Sequence, residues 1–164
     1  MLIVSDTTPL RYLVEIGAVH VLEALFGSVI IPERVCLELQ GSRTPPQVSM
    51  WIQAPPPWLT VQHADISLFT PKAKIEDGER EAIALALAMQ ADALLCDDGK
   101  AIKEANRVNV PVLRLFNILQ IAADNDLLDL PDAIDKMKHT TFRLPPTEIV
   151  NALLERNRQR KAAS

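Results

Sequence analysis

The sequence predicts an α/β domain with a central, mostly parallel sheet, and three observations carry that prediction. Short apolar runs alternate with helical stretches along most of the chain. The helical stretches have their own start and stop signals, Thr8-Pro9 at one end and Gly17 and Gly27 at others. Ala82–Ala88 is apolar at every position, the mark of a helix buried on all sides.

In chain order, Leu2-Ile3-Val4 reads as the first strand. Thr8 as N-cap and Pro9 at the first helical position open a helix that runs to about Ile16. Ala18–Phe26 follows as a second helix, stopped by Gly27. Val29-Ile30-Ile31 is the second strand, and Pro32 opens a short helix over Glu33–Gln40. Residues 41–57 hold five of the twelve prolines and read as a surface excursion with a helical turn around Val48–Gln53. A third strand is expected near Leu59–Gln62. A long helix starts at Asp77, Ala93–Cys96 is the next strand, Asp98 caps a helix over Lys100–Val108, and Val112–Leu115 is the last strand. From Asn117 the chain is helical, with a break at Phe142–Pro146. One domain of 164 residues is expected, with its core at about 1–120 and a helical extension at about 125–164.

Composition excludes several classes. A 48% hydrophobic, 23% charged chain is globular rather than disordered. Two cysteines are too few for a disulfide framework or a Cys-rich zinc site. No apolar run reaches the roughly 20 residues of a membrane span, and the N-terminus has no signal-peptide pattern, so the cytoplasm is the expected compartment. Residues 1–150 carry 13 Lys and Arg against 20 Asp and Glu, whereas the last 14 residues are net basic. An acidic body binds a phosphate polymer only through a local basic patch or through cations held by its acids.

Four carboxylates stand out by position. Asp6 follows the first strand, and Asp97, with Asp98 beside it, follows the strand Ala93–Cys96; ligands of open α/β sheets bind outside such carboxyl ends. Glu79 lies in the first turn of the apolar helix on the stripe of Ile83, Ala86 and Leu87, and Glu38 shares the stripe of Val35. Two carboxylates about 5 Å apart repel by roughly 3 kcal/mol at an effective dielectric near 20, a cost that a hard divalent cation removes. Each acid also has a purely structural reading: Asp6 as a turn residue, Asp97 as a loop acid with Asp98 as an N-cap, Glu79 as a first-turn complement to the helix dipole, Glu38 as a partner of Arg34.

The set, in this order and at these intervals, resembles the PIN-domain family, the PilT N-terminus type nucleases. The resemblance rests on Ile3-Val4-Ser5-Asp6-Thr7-Thr8-Pro9-Leu10, on Val29-Ile30-Ile31-Pro32 with Val35…Glu38-Leu39, on Asp77-Gly78-Glu79-Arg80-Glu81-Ala82-Ile83-Ala84-Leu85-Ala86, and on Ala91-Asp92-Ala93-Leu94-Leu95-Cys96-Asp97-Asp98. It spans about residues 1–120 and is closest to a prokaryotic subgroup near the VapC-type toxins. It implies a three-layer α/β/α fold and a metal-dependent endoribonuclease. Asp6, Glu38, Glu79 and Asp97 would be the catalytic pocket holding Mg²⁺ or Mn²⁺, and Thr7 or Thr8 a supporting hydroxyl. Glu81 remains an alternative to Glu79, and Asp98 to Asp97. The VapC likeness further implies a toxin, a small antitoxin partner and a homodimer.

Other residues weigh less. His20, His63 and His139 show no mutual metal-ligand spacing, and the five glycines form no phosphate loop. Cys36 and Cys96 read as small core residues. Arg11, Arg34 and Arg43 near strand ends, and Arg156, Arg158, Arg160 and Lys161 in the tail, are candidate RNA contacts, with a solvated helix end as the other reading of the tail. Trp51 and Trp58 read as packing residues. Two rival functions stand beside the nuclease: a PIN-like module that binds RNA or a partner protein without cutting, and a phosphotransferase using Asp6 as nucleophile.

Overall fold

The computed structural model describes all 164 residues. Five parallel strands form its sheet in the order β3-β2-β1-β4-β5: β1 Ile3–Ser5, β2 Val29–Pro32, β3 Leu59–Gln62, β4 Ala93–Leu95 and β5 Val112–Leu113. From β1 the chain builds outward through β2 to β3, then returns to the other side of β1 for β4. The carboxyl ends of β1 and β4 therefore flank the point where strand order reverses, the place where open α/β sheets hold ligands.

Alternation along the strands divides the core in two. Ile3, Ile31, Ala93 and Leu95 face a large cluster that includes helices α1 (Thr7–Glu15), α2 (Val21–Phe26), α3 (Glu33–Leu39) and α4 (Pro46–Gln53). Helices α7 (Leu115–Asp124), α8 (Leu130–Lys138) and α9 (Thr147–Ala162) share this cluster, so the C-terminal helices are part of the main core. Val4 and Leu94 face the opposite way, against α5 (Asp77–Ala88) and α6 (Gly99–Arg107). The three-layer α/β/α arrangement follows directly.

Most elements lie where sequence pattern puts them, with instructive differences. The run 41–57 is not merely a surface excursion. Pro45 and Pro46 start α4 with proline at its first turn, and Val48 and Ile52, one turn apart, are fully buried in the main core. Trp51 and Trp58 pack together there with ring centroids 6.1 Å apart. The second helix begins only at Val21, because residues 18–20 form a turn closed by the Val21 N–H on the Ala18 carbonyl. β5 ends at Leu113, since the Asn117 side chain accepts the Arg114 N–H and starts α7 at Leu115.

A clamp between α6 and the loop that leads into α5 matters for the site. Both Glu104 oxygens accept backbone N–H groups, from Lys72 at 3.1 Å and Ala73 at 2.9 Å, and Arg107 holds the same carboxylate at 2.7 Å. Arg107 also donates to the Thr70 carbonyl and lies over the Phe69 ring. The stretch 70–73 is thereby fixed to α6 immediately before the residues that enter the cleft.

Candidate active site

Asp6 occupies the N-cap position of α1 with extended backbone, yet its carboxylate makes no capping bond. Its N–H continues the sheet ladder to the Leu95 carbonyl at 2.9 Å, which seats it beside the end of β4. The side chain is 3% exposed, and no cation pairs with it. Burial, reinforced by the carboxylates of Glu79, Glu38 and Glu76 and only partly offset by the Thr7 amide, raises its pKa to about 8. Cys96, across from it, places Sγ 4.0 Å from Asp6 Oδ2, and burial pushes that thiol upward, so it contributes a neutral wall.

Glu38 comes from the last turn of α3 and is held from two sides. Thr7 Oγ1 donates to Glu38 Oε2 at 2.5 Å and the Gly78 N–H donates to Oε1 at 3.1 Å. Glu79 sits at N3 of α5, where its Oε2 accepts the Glu76 N–H at 2.9 Å while Glu76 caps the helix in return. Burial first, then Asp98, Glu76 and Glu38, raise Glu79 to about 7. Glu81 points elsewhere, accepting the Arg34 N–H at 3.1 Å, so Glu79 is the one that faces the cleft.

The two acids after β4 part company. Continuing the strand alternation, Asp97 falls on the α7 side: its Oδ2 accepts the Leu115 N–H at 3.0 Å and Oδ1 lies 3.6 Å from Arg114 Nε. Burial pushes its carboxyl up while the Leu115 amide and Arg114 pull it down. Asp98 returns to the α5 side. It caps α6 through the N–H groups of Lys100 and Ala101 and lines the cleft beside Glu79.

Two clefts meet at these carboxylates. One, of ≈ 460 Å³, is lined by Asp6, Thr7, Thr8, Arg11 and Arg43; the other, of ≈ 600 Å³, by Arg34, Lys74, Asp98 and Lys100; Glu38, Glu76 and Glu79 border both. Sequence reasoning missed Glu76, Lys74 and Lys100. The Glu76-x-x-Glu79 spacing of a capping box was a signal for the first, but no pattern marks the two lysines.

The PIN-domain model DUF3368 matches residues 2–158. The chain belongs to the PIN-domain family. A solved PilT N-terminus domain protein from the hyperthermophilic archaeon Sulfolobus solfataricus P2 shares the fold, with a TM-score of 0.51 and 15% identity over 88% of this chain and 100% of that one. No curated protein matches the chain. PIN domains are commonly nucleases and typically use divalent metals.

The donors of this PIN domain fit such an ion chemically. Asp6, Glu38 and Glu79 offer only hard oxygens, and none has a salt-bridge partner. No three acidic, histidine or cysteine side chains form a ready-made cage. Mg²⁺ keeps several waters and needs only one or two direct carboxylates, so an open set of this kind suffices.

The remaining candidates have other partners. Arg11 pairs with Glu15 at 3.2 Å while lining the cleft, and Arg34 reaches Asp77 at 4.0 Å. In the tail, Arg156 pairs with Asp124, Arg160 with Asp126 and Asp124, Lys161 with Asp129, and Arg158 with Glu155. All but the last, which lies within α9, tie α9 to the end of α7 and the turn leading into α8, and they leave the tail less free for phosphate than its sequence implies. His63 pairs with Glu33 at the surface, and no histidine approaches the carboxylates. No helix is long and apolar enough to cross a membrane.

Proposed function

We propose that this PIN domain is an endoribonuclease that hydrolyses RNA phosphodiesters with Mg²⁺ or Mn²⁺ held by Asp6, Glu38 and Glu79. The supporting observation is the convergence of three unpaired carboxylates, those of Asp6 and Glu79 buried, at the β1/β4 switch point between two clefts with cationic outer walls. A bound ion would acidify a water and stabilise the leaving oxygen of the phosphodiester. The chain's own residues hold the geometry: Thr7 and Gly78 fix Glu38, and the Glu76 N–H fixes Glu79. Asp98 is the fourth acid of the cleft in place of Asp97, which is engaged with the start of α7. The RNA backbone would cross from Arg11 and Arg43 on one side to Arg34, Lys74 and Lys100 on the other. The VapC-like motif order supports the role of toxin, with a small antitoxin as partner, a homodimeric state and action in the cytoplasm.

Lys74 and Lys100 make no ion pair. In an Asp6→Asn background, replacing either with Ala is expected to weaken single-stranded RNA binding. Fluorescence anisotropy against salt should show the log–log slope falling by about 0.7 per lost contact. An unchanged slope would place the strand elsewhere.

One observation favours a second reading, a PIN module that binds without cutting: the carboxylates do not form a closed cage and Asp97 is turned away. Cleavage of a mixed RNA pool with Mg²⁺, Mn²⁺ or EDTA separates the two. The nuclease reading expects metal-dependent cutting by wild type and none by a folded Asp6→Asn/Glu79→Gln variant. Absence of cutting in every metal would favour the binding module, and cutting that survives the double substitution would move the site.

A further inference from the structure

Gly78 stands in the first turn of α5, where almost any other residue forms helix more readily. Its backbone does not need glycine, because its φ is not positive. What it lacks room for is a side chain. A Cβ there would lie 2.5 Å from Glu38 Oε1 and 2.7 Å from Glu38 Cδ, closer than real Cβ contacts come. At the same time the Gly78 N–H donates to Glu38 Oε1 at 3.1 Å, while Thr7 Oγ1 holds the other oxygen.

We propose that Gly78 is a positioning residue for the acidic site, its bare α-carbon and its N–H together holding the Glu38 carboxylate between α5 and the start of α1, where it can serve a divalent cation. The inference rests on the reading of Asp6, Glu38 and Glu79 as the cation site. The obstructing atoms are the end of a flexible side chain, not backbone. A methyl group at position 78 therefore turns Glu38 out of the cleft and leaves the fold intact.

The test is thermal melting of wild type, Gly78→Ala, Glu38→Asp and Gly78→Ala/Glu38→Asp, metal-free and across a titration of Mg²⁺ and Mn²⁺. Metal-free Gly78→Ala should melt at or above wild type, as alanine is the better helix former. Its apparent cation affinity should fall roughly 10- to 100-fold, the usual cost of losing a residue that orients a ligand. In the double variant the carboxylate is one methylene shorter and clears the new methyl, so affinity should recover in part relative to Gly78→Ala. Wild-type affinity in Gly78→Ala, or a metal-free melting point several degrees below wild type, would overturn the inference and leave the site reading standing. A wild-type protein that gains no stability from either cation would overturn both.

Discussion

Asp6→Asn is expected to raise the melting temperature of the metal-free protein at pH 8 while removing cation-dependent cleavage. The carboxyl titrates near pH 8 when folded and near its ordinary 3.8 when unfolded. Between those values the folded chain keeps a proton that the unfolded chain has released. The Asp6 contribution to wild-type stability is therefore full below about pH 4 and falls as pH rises toward 8, by up to ~1.4 kcal/mol per unit. Asparagine does not titrate, so the variant escapes this loss. At about 2–4 °C per kcal/mol for a chain of this size, its advantage at pH 8 should reach roughly 10–20 °C and vanish near pH 4. Mg²⁺ should stabilise wild type by RT ln(1 + [L]/Kd), about 2.7 kcal/mol at a hundredfold excess over Kd, and leave the variant unmoved. Cleavage should drop more than about 100-fold, since even outer-sphere partners of a metal site cost 10- to 100-fold. Melting curves at pH 4, 6 and 8, with and without Mg²⁺, read all of this; a variant that melts below wild type at pH 8 would show that Asp6 is not a strained acid.

Asp97→Ala and Asp98→Ala should separate in the opposite sense to their likeness in sequence. Asp97→Ala strips the acceptor from the Leu115 N–H and the partner from Arg114. It should cost about 1–3 kcal/mol of stability, lowering the melting point by roughly 2–10 °C, with the response to Mg²⁺ retained. Asp98→Ala removes the cap of α6, worth about 1 kcal/mol, and also takes a negative charge from beside Glu79. Its cation response should weaken. A folded Asp97→Ala protein with no cation response would make Asp97 a ligand and require it to leave α7.

That difference is partly legible in the strand pattern of the sequence. In the run from Ala93 to Asp98, alternation puts Ala93, Leu95 and Asp97 on one face and Leu94, Cys96 and Asp98 on the other; only the structure adds the pairing of Val4 with Leu94 that sets Asp6 level with Cys96. Strand positions were legible because three or four consecutive apolar residues between glycine and acid signals admit few alternatives. The apolar Ala82–Ala88 run likewise announced a buried helix and with it the inward face of Glu79. The run 41–57 was harder: proline density suggests irregular chain, yet a proline in the first turn promotes a helix, and only the Val48/Ile52 spacing reports the buried face of α4. Lys74 was invisible as a cleft residue because a carboxylate far along the chain, Glu104, determines where its loop lies. The tail charges were visible as charges, but their partners at the end of α7 and in the turn before α8 were not, since ion pairs across 30 or more residues leave no local pattern.

The Glu104 clamp also decides where the molecule can change length. Four donors converge on one carboxylate at residues 72, 73 and 107, so the cleft wall from Lys74 to Glu79 is anchored downstream of β3 by its own fastening. Residues inserted between β3 and Thr70 would lengthen the entry to the loop without shifting its exit. Such growth is confined to the exposed residues between Ala64 and Phe69, since both of those are buried in the core, and there it leaves the carboxylates their spacing.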